Sequence, residues 1–185
     1  MRARRTTAGI PEPHRYNPPM QPETRLIRIS IAEQRLQLLE DGAVSLDTAV
    51  STAANGPGER IHSECTPRGW HRIRARIGAG CPENTVFVGR RPTGEIYTPA
   101  LKAAHPGRDW ILTRILWLCG MEPGRNRLGQ VDSMRRYIYI HGCPDEDRMG
   151  VATSHGCVKM RNAEVMHLFE RVASGTRVLI QEGPL

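Results

Sequence analysis

A chain of 185 residues, 39% hydrophobic and 24% charged, is long enough to bury its own core and is composed like a folded globular domain, not a disordered one. No stretch approaches the roughly 18 consecutive apolar residues of a membrane span; the greasiest, residues 115–121, is short. The net charge of +7 comes almost wholly from arginine, with Lys102 and Lys159 the only lysines; it favours anionic partners, but the arginines are scattered and lack zinc-finger or aromatic–basic patterning, so nucleic acid is not an expected partner.

Residues 1–24 are rich in proline and arginine and carry no periodicity, which predicts a flexible N-terminal arm ahead of one domain over 25–185. The early Arg2, Arg4 and Arg5 are not followed by an apolar run, so this stretch does not read as a signal peptide. From Arg25 the pattern alternates: LIRISI and RLQLLE predict a β-hairpin, Asp41-Gly42 a tight turn, and Ala43 to Ser51 a third strand. Asn55 to Gly58 is a loop, and the turn Thr66-Pro67-Arg68-Gly69 leads into the alternating WHRIRARI. Pro82 to Pro106 is punctuated by glycine and proline and predicts loops with short strands, the place for a substrate lid. Ile111 to Leu118 is assigned to a strand, as is Tyr137 to Ile140, whose aromatic and β-branched residues suit a pleated surface. One helix is expected near the end, with Asn162 as N-cap, Val165, Leu168, Phe169 and Val172 on one face, and Gly175 as C-cap. RVLIQ closes the chain as a strand. The sum is a β-rich domain with few helices and no internal repeats.

The five cysteines, Cys65, Cys81, Cys119, Cys143 and Cys157, are odd in number and irregularly spaced. That is not the framework of a disulfide-built domain, and any pairing leaves a thiol over. The richest stretch is YIYIHGCPDEDRMGVATSHGCVKMRN, with His-Gly-Cys at both 141–143 and 155–157. A thiol nucleophile needs an imidazole to take its proton, backbone N–H groups for the oxyanion, and a group that orients the imidazole. His141, at the end of a strand, and Cys157, in a glycine-containing loop, supply the pair. The N–H groups of Gly156 and Cys157 are the candidates for the oxyanion, and the Gly142 carbonyl is the candidate orienting group. A zinc-stabilised module is the rival, because His141, Cys143, His155 and Cys157 are four good ligand types. The His-x-Cys spacing is unusual for zinc, but residue types alone leave both readings open.

The segment resembles the L,D-transpeptidase catalytic domain, also called YkuD-type. Its signature is a histidine, a loop of about a dozen residues or more, and then Ser/Thr-His-Gly-Cys. Here that is His141 followed by Ser154-His155-Gly156-Cys157. The likeness extends roughly from Arg25 to Gln181, and residues 122–142 resemble the run-up to the active site in Gram-negative members. It implies a β-sandwich-like fold, Cys157 as nucleophile, His141 as base oriented by Gly142, and His155 and Ser154 shaping the site. It also implies peptidoglycan stem peptides as substrates, 3→3 cross-linking with release of D-Ala, and carbapenem β-lactams as inhibitors, without a cofactor. Water or a lipoprotein lysine as acceptor would make the same fold a carboxypeptidase or an anchoring enzyme. The periplasm or cell envelope is the implied location; the absence of a signal peptide leaves a cytoplasmic role as the alternative. Two positions depart from the family pattern. Lys159 keeps a cation for the stem carboxylates without the planar fork of arginine. Cys143 replaces a small or hydroxyl residue and raises the idea of a Cys143–Cys157 redox switch. Oligomeric state is not legible.

Overall fold

The computed structural model describes residues 25–185; the arm over residues 1–24 and the signal-peptide question lie outside them. The opening hairpin pairs β1 (Arg25–Ser30) with β2 (Arg35–Glu40), and β2 with β3 (Ala43–Ala49), all antiparallel. Then come β4 (Gly69–Ile77), β5 (Thr85–Val88), β6 (Arg91–Ile96), α1 (Pro99–Ala104) and β7 (Ile111–Gly120). The chain ends with β8 (Tyr139–Gly142), β9 (Val158–Met160), α2 (Asn162–Arg171) and β10 (Arg177–Gln181). Among the described residues the strands form one curled sheet in the order β3-β2-β1-β10-β4-β7-β5-β6, with β8 on β7 and β9 on β8. The β-rich fold expected from the sequence is the fold observed.

Strand alternation decides what is buried. On β1 and β2, Ile27, Ile29, Leu36 and Leu38 are fully buried, while the residues between them face outward. They meet Val178 and Ile180 of β10, Ile140 of β8, and Val158 and Met160 of β9. Onto this face α2 lays Val165, Leu168 and Phe169, its apolar stripe. Each such side chain contributes about 1.5–3 kcal/mol on burial. The helix therefore packs on β7 and β8, the second of which carries His141.

Four local expectations are corrected. The YIYI strand starts two residues later, at Tyr139, because Tyr137 sits in a turn with φ +57° and donates its N–H to Met134 O. Asn162 is not an N-cap: Arg161 holds that position without a side-chain bond, and Asn162 is the first helical residue. Gly175 does not end α2, which is capped at Val172; its φ of +95° serves the turn into β10, where its N–H bonds Ile73 O. The 82–106 stretch contains a full hairpin, β5 and β6, and a short helix. Thr98 starts that helix, its Oγ1 accepting from Leu101 N at 3.1 Å ahead of Pro99.

Candidate active site

The parallel pairing of β8 with β9 sets Ile140 beside Val158 and His141 beside Lys159. Ile140 and Val158 are fully buried in the core. Strand alternation then turns Tyr139, His141, Cys157 and Lys159 to the opposite face. All four line one cleft of about 170 Å³, with Asp109, Ile111, Arg136, Tyr137, Ser154 and His155 completing its wall. The long connection from 143 to 157 is what lets two neighbouring strands run parallel and deliver both signature residues to one place.

His141 is buried, and its Nδ1 lies 2.8 Å from Gly142 O. A carbonyl only accepts, so Nδ1 carries the proton and Nε2 is left as the acceptor. Burial holds the imidazole below its ordinary pKa, partly offset by the bond to Gly142. Cys157 packs on an apolar cluster that includes Phe87, Ile115 and Tyr139. Its Sγ lies 3.4 Å from Tyr139 N and 3.5 Å from Tyr137 O. Burial pushes this thiol up to about 12, against a smaller downward pull from the Tyr139 N–H. Both shifts favour the uncharged forms, thiol and imidazole.

The loop carrying Cys157 is fixed by hydroxyls. Ser154 Oγ donates to Cys157 O and accepts from Gly156 N at 3.2 Å, while Thr66 Oγ1 donates to Gly156 O at 3.0 Å. The Gly156 N–H, expected at the oxyanion, is thus engaged within the loop, leaving Cys157 N–H from the expected pair. Gly156 has φ +126°, and a Cβ there would lie 3.2 Å from Ile138 and 3.3 Å from Cys65 O, so the turn needs glycine. Arg136 closes the far side. Its guanidinium donates to Gly58 O, Glu59 O, Ser63 Oγ and Cys65 O, pinning the 58–65 loop beside the Cys157 turn. His155 is exposed and borders both this cleft and an adjoining depression of about 400 Å³ that holds His62, Glu64 and Arg135.

Lys159 reaches the cleft already paired, its Nζ 2.9 Å from Asp147 Oδ2, and Lys102 stands 3.6 Å from the other oxygen of the same carboxylate. The four residues of the zinc reading are not brought together. Cys143 is fully buried and directs Sγ to Met160 O at 3.3 Å, whereas His155 is exposed. Among the described residues no group of three or more His, Cys, Asp or Glu side chains is placed to hold a metal. The redox switch fails on register: Cys157 and Cys143 flank opposite ends of the β8–β9 pairing. Four residues separate them along the strand direction, about 13 Å at ~3.3 Å per residue, beyond the ~7 Å between Cα atoms that a disulfide tolerates.

The site also contains residues the sequence reading passed over: Tyr139, Arg136, Asp109 and Asp147. Tyr139 was recoverable, since it lies two residues before His141 on one strand. The other three come from separate loops, and nothing local marks them.

The curled sheet and the cleft it builds from a cysteine and a histidine define the class. The chain belongs to the L,D-transpeptidase catalytic domain family, whose YkuD model matches residues 24–180. Among individual relatives, the putative L,D-transpeptidase YqjB of Bacillus subtilis is 49% identical over 47 residues, 25% of this chain and 27% of that protein. The aligned part of this chain thus spans about a quarter of that relative's length. An L,D-transpeptidase from Mycobacterium smegmatis superposes with a TM-score of 0.54 at 17% identity, over 85% of this chain and 58% of the other. L,D-transpeptidase 3 from Mycobacterium tuberculosis, in complex with a faropenem-derived adduct, gives 0.53 at 15% identity, over 86% of this chain and 60% of the other. At these identities the structural likeness speaks for the fold.

Proposed function

We propose that the protein is a peptidoglycan L,D-transpeptidase that forms 3→3 cross-links through a thioester on Cys157. The observation that carries this is the placing of Cys157 and His141 in one cleft, with His141 Nδ1 tied to Gly142 O and Nε2 left to accept a proton. The donor tetrapeptide stem lies in the cleft with its third-residue carbonyl over Sγ. Sulfur attacks, the S–C bond forms, and the thiol proton passes to His141 Nε2. The Cys157 N–H faces the oxyanion, joined by Gly156 N–H if Ser154 Oγ releases it. The intermediate collapses, the amide C–N bond breaks, and His141 returns the proton to the departing D-Ala amine. The amine of a second stem then attacks the thioester while His141 takes its proton, and the free thiol is restored. Lys159 serves the stem carboxylates by exchanging Asp147 for substrate. The cell envelope is the place this chemistry requires.

The β-lactam-derived adduct on the Mycobacterium tuberculosis relative supports the same expectation here: a carbapenem ring opened by Cys157 leaves a stable acyl-enzyme. Intact-mass spectrometry of the reduced protein with and without a carbapenem tests it. A single adduct, absent from Cys157→Ala, is expected, together with 3→3 dimers from tetrapeptide muropeptides. An unmodified wild type, or an adduct that persists in the variant, would remove Cys157 from the role.

A further inference from the structure

Asn162 is 1% exposed and is not spent on capping its helix. Its Nδ2 donates to Cys143 O at 3.0 Å and to Asn84 Oδ1 at 2.9 Å, and its Oδ1 accepts from Thr113 Oγ1 at 2.6 Å. Both N–H donors are used and the carbonyl is engaged, so the amide has one orientation. Thr113 Oγ1 also accepts from the Asn84 backbone N–H at 2.9 Å, which closes a ring of three residues in which Asn162 and Thr113 are buried and Asn84 is half-buried. Three separate parts of the chain meet there: the start of α2, the loop before β5, and the irregularity in β7 between Leu112 and Ile115.

That ring packs against Gly142, the residue whose carbonyl orients His141, and bonds the carbonyl of the peptide after it. A Cβ on Gly142 would lie 2.3 Å from Asn162 Oδ1 and 2.8 Å from Leu112 O. The Asn162 amide thus packs against the Gly142 Cα and bonds the next carbonyl along. The plane of the 142–143 peptide fixes where Gly142 O points, and Gly142 O fixes the His141 ring through Nδ1. Backbone strain marks the same place. Thr113 has φ +68° and Asn84 φ +64°, and for a β-branched residue such as threonine a positive φ is an outlier held only by its surroundings.

We infer that Asn162, held by Thr113 and Asn84, is a positioning residue that fixes the Gly142–Cys143 peptide and thereby the tautomer and aim of the His141 imidazole. This rests on the Cys157–His141 reading above. Losing the clamp lets Gly142 O swing and the Nδ1–H and Nε2–H tautomers mix. A misplaced base slows acylation of Cys157 by about 10²-fold, with little change in carbapenem affinity before acylation.

The test uses Asn162→Ala together with the pair Thr113→Val and Thr113→Ser. Valine keeps the shape of threonine and removes the hydroxyl, whereas serine keeps the hydroxyl. Two readouts are taken: the carbapenem acylation rate, and the ¹⁵N NMR signature of the His141 ring, which reports the tautomer without any turnover. The expected result is a single Nδ1–H tautomer and rapid acylation in wild type and Thr113→Ser. Mixed tautomers and slow acylation are expected in Thr113→Val and Asn162→Ala. Should Asn162→Ala fail to fold, the threonine pair decides the matter. Wild-type tautomer and rate in Thr113→Val overturn the proposal, as does equal impairment in Thr113→Ser, which would indicate packing alone. A wild type that does not acylate counts against the function proposed for Cys157, while the ring signature still decides the role of Asn162.

Discussion

The resting charge state of the Cys157–His141 pair is open to a direct chemical test. Burial pushes the thiol up to about 12 and holds the imidazole below its usual value. A free cysteine with a pKa near 8.5 is a few per cent thiolate at pH 7, whereas a pKa near 12 leaves about 10⁻⁵. Reaction with a small alkylating agent such as iodoacetamide follows the thiolate fraction. Cys157 should therefore alkylate roughly 10³-fold more slowly than glutathione at pH 7, its rate climbing tenfold per pH unit through pH 9. Mass-spectrometric peptide mapping isolates this site from Cys65 and Cys81, which are partly exposed as Cys157 itself is. Carbapenem acylation should nonetheless proceed at neutral pH, because His141 accepts the proton as the ring opens and no standing thiolate is needed. A flat alkylation profile reaching down to pH 5, at rates above glutathione, would mean a standing thiolate–imidazolium pair and would refute the argument from burial.

Other expectations follow from named contacts. His71 is fully buried between Gly69 O at 3.0 Å and Ser133 Oγ at 2.9 Å, and desolvation lowers it to about 4. Below pH 6.5 the unfolded chain takes a proton that the native state refuses. Stability present above pH 6.5 is thus lost as pH falls towards 4, about 3 kcal/mol in all at ~1.4 kcal/mol per unit. Urea titrations across that range should show a steeper fall for wild type than for His71→Gln; parallel curves would exclude His71 as the cause. If Lys159 binds stem carboxylates by exchanging Asp147, Lys159→Met should raise the KM for a tetrapeptide substrate several-fold and Asp147→Asn should lower it; unchanged KM in both would remove Lys159 from substrate binding. Leu168→Ala empties a fully buried position between α2 and the sheet. It should cost about 2–5 kcal/mol in denaturant unfolding while carbapenem acylation per folded molecule stays near wild type.

Much of the fold was legible because alternation is a local code. LIRISI, RLQLLE and RVLIQ each carry their buried apolar residues at every second position, and the sheet reads them as written. YIYI shows where that code stops. Its alternation continues back through Tyr137, but the backbone there is in a turn held by contacts of residues 132–138, including Arg135 N to Asp132 Oδ1 at 3.0 Å. Alternation states which face a residue would take in a strand, not where the strand begins. The helix ends failed for a related reason. Asn162 is a good N-cap by type, yet its amide is drawn into a hydrogen-bonded ring whose other members lie 49 and 78 residues away in sequence.

The site divides along the same line. His141 and Cys157 lie within one short signature, and strand period then supplies Tyr139 and Lys159 on the same face. Asp147 was invisible as a partner because its bond to Lys159 depends on how the 143–157 connection folds back. Arg136 was one of many scattered arginines, and only the structure shows its guanidinium tying down four acceptors on the 58–65 loop. Residues that perform the chemistry must be of particular types, and type is written in sequence. Residues that hold those groups in place need only a donor or an acceptor at the right point in space, which many types provide and no spacing announces. The supporting shell of this cleft is therefore the part a sequence conceals, and it is where substitutions such as Thr113→Val should be most informative.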